Sequence, residues 1–153
     1  MNFNGKATTV KTTFSRETSI GINVQADAAI VWSLLTNAAD FARWNSTIVS
    51  LSGDIKPGGK VELVSTLDES RTFKLNVKEF EAEKRLVWGD RQGSRTYTLA
   101  SGANNSVNFT MTEKIGGLLF PLFSGFIPPF DESFEQFAAD LKKEAEAIQQ
   151  AGS

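Results

Sequence analysis

Asp90, Arg95, Tyr97 and Glu113 have the types and spacing to do chemistry together. A carboxylate accepts a proton, a guanidinium presents a planar fork of donors to a carboxylate or carbonyl, and a phenol orients either. Little else in the chain competes with them. There is no histidine and no cysteine, so the usual base near neutral pH, a thiolate nucleophile and a disulfide are excluded. Ser124 and the threonines have no histidine partner, which removes a serine-type triad. Gly116-Gly117 lacks the flanking residues of a phosphate loop or a dinucleotide fingerprint. A metal would need carboxylates alone, and no spaced cluster of them occurs; neither metal nor cofactor is expected.

Two turns decide which of these side chains meet. A hairpin centred on Asn104 sets Leu99 opposite Phe109, Tyr97 opposite Met111 and Arg95 opposite Glu113. A preceding hairpin centred on Gln92-Gly93 sets Trp88 opposite Tyr97 and Asp90 opposite Arg95. With the large apolar residues turned inward, Asp90, Arg95 and Glu113 then share the concave face. There they either anchor an acidic or carbonyl group, with Asp90 or Glu113 as the catalytic proton acceptor, or satisfy one another as an ion-pair network. If exposed, such a network contributes about 1 kcal/mol or less.

The elements that position these residues follow from hydrophobic periodicity. Ile20, Ile22 and Val24 alternate within residues 14–25, as in a half-buried strand. Asp27 caps a short helix over 28–36, and a second helical turn over 38–42 ends at Arg43-Trp44-Asn45. From Ile48 the pattern is repetitive β, with strands over 48–51, 60–67, 71–81, 85–91, 95–100 and 106–115. Lys56-Pro57-Gly58-Gly59, Asp68-Glu69-Ser70 and Gln92-Gly93-Ser94 break it, as do residues 101–105. Leu63 lies in phase with Val61, and Phe73 and Leu75 with Val77. Short strands at this spacing make an antiparallel meander.

The end of the chain carries the strongest pattern. Phe130, Phe134, Phe137, Leu141, Ala145 and Ile148 recur at helical spacing, with Asp131, Glu132 and Glu135 near the positive end of the dipole. Pro128-Pro129 sets the first turn. Before it, Phe120, Phe123, Phe126 and Phe130 are interleaved with glycine and proline, either as a lid over a cavity or as a packed approach to the helix. A meander closed by one amphipathic helix must wrap its sheet around that helix. The expected fold class is therefore α+β of the helix-grip kind. A curved antiparallel sheet of about seven strands surrounds the long C-terminal helix, and two short helices follow the first strand. One domain spans 1–153, with residues 1–13 flexible or forming an extra N-terminal strand.

Several strings resemble one superfamily. Ile22 to Thr36 resembles its acid-capped helix with a Val/Ile-Trp pair, and Ala39 to Asn45 its short helix ending in tryptophan. Pro57-Gly58-Gly59 is similar to the turn before its third strand, and Thr112 to Phe123 to its last strand running through glycine into the C-terminal helix. These strings are similar to the Bet v 1-like, START-related SRPBCC superfamily, and within it the polyketide cyclase/dehydrase-type members. The resemblance implies a deep apolar cavity between sheet and helix, holding a small hydrophobic or aromatic molecule of lipid-like or polyketide-like character. Trp44 and Trp88 either form its wall or pack the core. Leu63, Phe73, Leu75, Phe109 and Met111 face inward from the sheet, and Phe123, Phe126, Phe130, Phe134 and Phe137 from the helical side. Arg95 orients the ligand, and Tyr97 either orients it too or is a core tyrosine bonded to water or backbone.

Composition sets the partners. The net charge of −2 argues against nucleic acid, which selects a basic stripe. No apolar run approaches the roughly 20 residues of a membrane span, and the polar N-terminus is neither a signal nor a transit peptide; the protein reads as cytoplasmic. A homodimer is left open. Twelve phenylalanines among 153 residues either fill a core or line a cavity. Three functions fit: a binder of a small hydrophobic molecule, a cyclase/dehydrase-like enzyme using Asp90 or Glu113, or a protein-interaction module whose contact surface is residues 120–130.

Overall fold

The computed structural model describes residues 2–152. Its strands are β1 (Thr8–Lys11), β2 (Ser15–Val24), β3 (Ile48–Gly53), β4 (Lys60–Ser65), β5 (Asp68–Glu81), β6 (Arg85–Gly89), β7 (Gly93–Ser101) and β8 (Val107–Gly116). Its helices are α1 (Ala28–Thr36), α2 (Ala38–Trp44), the single turn α3 (Phe120–Phe123) and the long α4 (Asp131–Ala151). The strands form one antiparallel sheet in the order β1-β2-β8-β7-β6-β5-β4-β3. This is the helix-grip fold expected from the sequence. The strand beyond the expected seven is β1, from the N-terminal stretch.

The grip is apolar. Phe134, Phe137, Ala138, Leu141 and Ala145 form the buried face of α4, against inward residues that include Ile20, Leu86, Tyr97, Phe109 and Met111. Ile148 continues the stripe in sequence but is 39% exposed, so the buried face ends at Ala145, nearly two turns before the helix does. Polar contacts fix where α4 begins: Asp131 accepts from the Thr9 hydroxyl at 2.7 Å and Glu135 from the Ala7 N–H at 3.0 Å. These bonds tie β1 to the helix.

Three expectations are corrected. Asp27 stands at the start of α1, but its carboxylate makes no capping bond. Its carbonyl accepts from the N–H groups of Ile30 and Val31, while its own N–H donates to Gln149 of α4 at 2.9 Å. Asp68-Glu69-Ser70 does not break a strand; it opens β5. The turn falls two residues earlier, because Thr66 bonds to the Thr47 carbonyl through both N–H and hydroxyl. In the β6–β7 hairpin, Trp88 pairs with Arg95 and Leu86 with Tyr97, two residues from the expected register. Asp90 has left the sheet to build the turn: its N–H donates to the Gly93 carbonyl, and its Oδ1 accepts from the N–H groups of Gln92 and Gly93 at 2.8 and 3.1 Å. The β7–β8 hairpin keeps its expected register, with Leu99 opposite Phe109, Tyr97 opposite Met111 and Arg95 opposite Glu113.

Candidate functional site

A cavity of about 170 Å³ opens between strands β4–β8 and the segment leading into α4. Leu63, Phe73, Leu75, Trp88, Ile115 and Phe130 give it an apolar wall, and Arg71, Asp90, Arg95 and Glu113 a polar side. Phe126 stands at its mouth, 88% exposed. Alternation places this wall: Leu63 and Leu75 project from neighbouring strands to the buried face, and Phe73 sits opposite Leu63.

The polar side is built on one cross-strand pair. Arg95 Nε donates to Glu113 Oε1 at 2.7 Å, with the two side chains 13% and 19% exposed. The Arg95 guanidinium lies 5.1 Å from the Phe134 ring centroid and 6.0 Å from that of Phe137, and it interacts electrostatically with the Tyr97 hydroxyl. Burial opposes the charge on Arg95, but Glu113 and Tyr97 outweigh it and hold the guanidinium pKa above its ordinary value. Burial likewise raises the Tyr97 phenol above its ordinary 10.0, only partly offset by Arg95. The group at the cavity's inner side is thus a charged guanidinium, a carboxylate bonded to it and a neutral phenol behind them. Such an arrangement offers donors to one polar group of a small molecule.

All but one of the sequence-derived residues fall into two sets. Leu63, Phe73, Leu75, Trp88, Asp90, Arg95, Glu113, Phe126 and Phe130 come together around the cavity. Trp44, Tyr97, Phe109, Met111, Phe134 and Phe137 do not line it; all are buried in the core. Ring stacking explains the division. Tyr97, Phe109 and Phe137 stack on one another at centroid distances of 5.8 to 6.4 Å, and Trp44 meets Phe41 and Phe137 at 4.7 and 6.1 Å. The inner part of the sheet's concavity is therefore filled. Phe123 is half-buried and packs edge-on against Phe120 at 5.5 Å, away from the cavity. Asp90 lies at the rim with Oδ1 held by two backbone donors, which ties its carboxylate to the turn.

Arg16 was missed by sequence reasoning. It is 6% exposed. Its two terminal nitrogens donate to the carbonyls of Ile127 and Pro128 at 3.2 and 2.8 Å, and its guanidinium lies 4.5 Å from the Phe130 centroid. Burial lowers its pKa, against the opposing pull of Glu113 and Asp131. The available signal was phase: Arg16 shares the inward alternation of Thr18 and Ile20. Arg71, also missed, places its guanidinium 4.3 Å from the Phe73 centroid at the cavity edge.

Comparison with known proteins agrees with this architecture. A conserved protein of unknown function from Enterococcus faecalis superposes with TM-score 0.68 at 13% identity, covering 94% of this chain and 78% of that one. A START superfamily protein from Mycobacterium smegmatis gives TM-score 0.63 at 14% identity, over 86% of this chain and 98% of that one. DynU16, from the dynemicin biosynthetic locus, gives TM-score 0.66 at 18% identity, over 87% of this chain but only 48% of that one. At these identities the likeness is one of fold. No curated protein matches the sequence. Residues 25–144 match the family model described as Activator of Hsp90 ATPase homolog 1-like protein. The chain therefore belongs to the Activator of Hsp90 ATPase homolog 1-like family, within the START-related SRPBCC superfamily.

Proposed function

We propose that the protein binds a small apolar molecule of about one aromatic ring, carrying a single polar group. One observation supports this reading most: a cavity of about 170 Å³ with an apolar wall and the Arg95–Glu113 pair on its inner side. An apolar hole of roughly 150 Å³ suffices for a benzene-sized ring, whereas drug-sized ligands occupy about 300 to 1,000 Å³. Removing the ring from water supplies the affinity, at about 25 cal/mol per Å² of apolar surface buried. The free donors of Arg95 set orientation by bonding a carbonyl or hydroxyl.

The test is native mass spectrometry of the protein as purified, followed by titration with single-ring aromatic acids, ketones and phenols. The expected result is a small bound mass released on denaturation, or saturable uptake that a Leu75→Trp variant loses because the indole fills the cavity. A clean apo mass with no uptake would overturn the reading.

A further inference from the structure

We propose that the turn carrying Leu118, Leu119, Leu122 and Phe126 docks the protein on an anionic lipid surface. These side chains are 87%, 66%, 76% and 88% exposed. Four large apolar groups held this far out within nine residues are unusual on a folded chain. Local hydrogen bonding raises them: Phe120 N–H donates to Gly117 O and Leu122 N–H to Leu119 O. Phe120 turns inward to 5% exposure, while its leucine neighbours point out. The result is a set of separate prongs, a shape suited to immersion among acyl chains.

The charge beside the prongs selects the lipid. Gly116 and Gly117, which lead into the turn, line a shallow concavity with Lys78, Arg91 and Lys114, all exposed. Two carboxylates face this side. Asp90 already accepts from backbone donors, and Glu17 lies across from Lys114 on β2. Cations remain in excess, and they lie next to side chains that would enter the bilayer. Basic side chains flanking inserted apolar groups are the pairing that binds anionic headgroups. The concavity also shares Asp90, Gln92, Gly93 and Ser94 with the rim of the apolar cavity. Docking by this face would let an apolar molecule pass from bilayer to cavity without crossing water; that route rests on the binding proposal, while the docking itself does not.

The experiment is co-sedimentation of the lipid-stripped full chain with phosphatidylcholine vesicles, with and without phosphatidylglycerol. Binding is expected only with phosphatidylglycerol. It should fall about tenfold in Leu119→Asp/Leu122→Asp and weaken with salt in wild type. Both changes are at exposed positions, and a far-ultraviolet circular dichroism spectrum checks the fold. Because the chain has no cysteine, Leu122→Cys accepts one environment-sensitive dye, whose emission should shift to the blue on vesicle addition. No sedimentation by wild type, equal sedimentation with neutral vesicles, or full retention by the double variant overturns the proposal. So does a chain that ignores vesicles but dimerises through the same leucines, which would assign the turn to protein contact. Since the vesicle readout uses ligand-free protein, failure of the cavity to bind a ligand leaves it interpretable.

Discussion

Phe130 and Phe134 stack with ring planes 4° apart and centroids 6.0 Å apart, and each also carries a guanidinium, Arg16 over Phe130 and Arg95 over Phe134. Phe130 lines the cavity and Phe134 lies behind it in the core. Two arginines from different strands thus hold the boundary between open and filled space at the start of α4.

Arg16 is the link between that boundary and the approach to α4. Arg16→Ala removes two hydrogen bonds to carbonyls and the contact with Phe130, and should cost about 2 kcal/mol in urea unfolding. Hydrogen exchange should accelerate over residues 124–130 while the rest of the sheet stays protected. Arg16→Lys, a point charge without the planar fork, should recover only part of the protection. Unchanged exchange in the Ala variant would show that the segment is held by other contacts.

Glu113→Gln keeps the shape but leaves Arg95 with a neutral partner in a nearly buried site. A loss of about 1 to 3 kcal/mol is expected in denaturant titration, with ligand uptake preserved because the Arg95 donors remain. If a substrate were found whose turnover vanished in this variant while its binding survived, Glu113 would be a proton acceptor and the cyclase-like reading would replace the binding one.

Tyr97 is the only tyrosine, so its ionisation can be read directly from tyrosinate absorbance. Burial raises its pKa above the ordinary 10.0. The folded phenol should therefore stay neutral when the pH passes that value. The sign for stability follows: the unfolded chain releases this proton first, so the contribution is complete below 10.0 and is lost as pH rises beyond it. Tyr97→Phe should flatten that alkaline slope. A tyrosinate band appearing at the ordinary pKa, with the fold intact by circular dichroism, would contradict the burial.

At the other end of the pH range, Glu146 accepts from Lys142 Nζ at 2.6 Å and from the Gln25 N–H at 2.8 Å. Burial pulls its pKa up, but these bonds outweigh it and hold the carboxyl below its ordinary 4.5. A carboxyl depressed in the folded state stabilises fully above 4.5 and loses that contribution as pH falls through the lower folded value. Thermal melts from neutral to acid pH should show a decline that Glu146→Gln lessens.

The legible parts of this chain were those governed by period and by tight turns. The Phe134, Phe137, Leu141 stripe announced α4. The turn around Asn104, held at positive φ, fixed a register that brought Arg95 to Glu113. The neighbouring hairpin was misread because Asp90 spends its carboxylate on the turn, an arrangement that alternation alone does not reveal. Gly89 could have flagged it: a Cβ there would come within 2.3 Å of the Gly93 carbonyl, so the strand had to end in glycine. The division between cavity and core was illegible for a different reason. Phe109 and Phe73 both point inward in sequence phase, and only the packing of α4 decides that Phe109 meets other rings while Phe73 meets open space.

The sheet order sets the timetable of folding. β2 pairs with nearby β1 on one side, but its other neighbour is β8, with Ser15 pairing to Gly116 and Val24 to Val107, so that side of the strand must wait during synthesis until β8 has appeared. Meanwhile the β3–β7 meander presents Val61, Leu75, Leu86 and Tyr97 with no α4 to cover them. Closing such distant pairs is entropically slow, on the order of milliseconds to seconds in small domains of this kind. The nascent protein is thus most prone to aggregation while the meander is exposed and β8 and α4 have yet to join it.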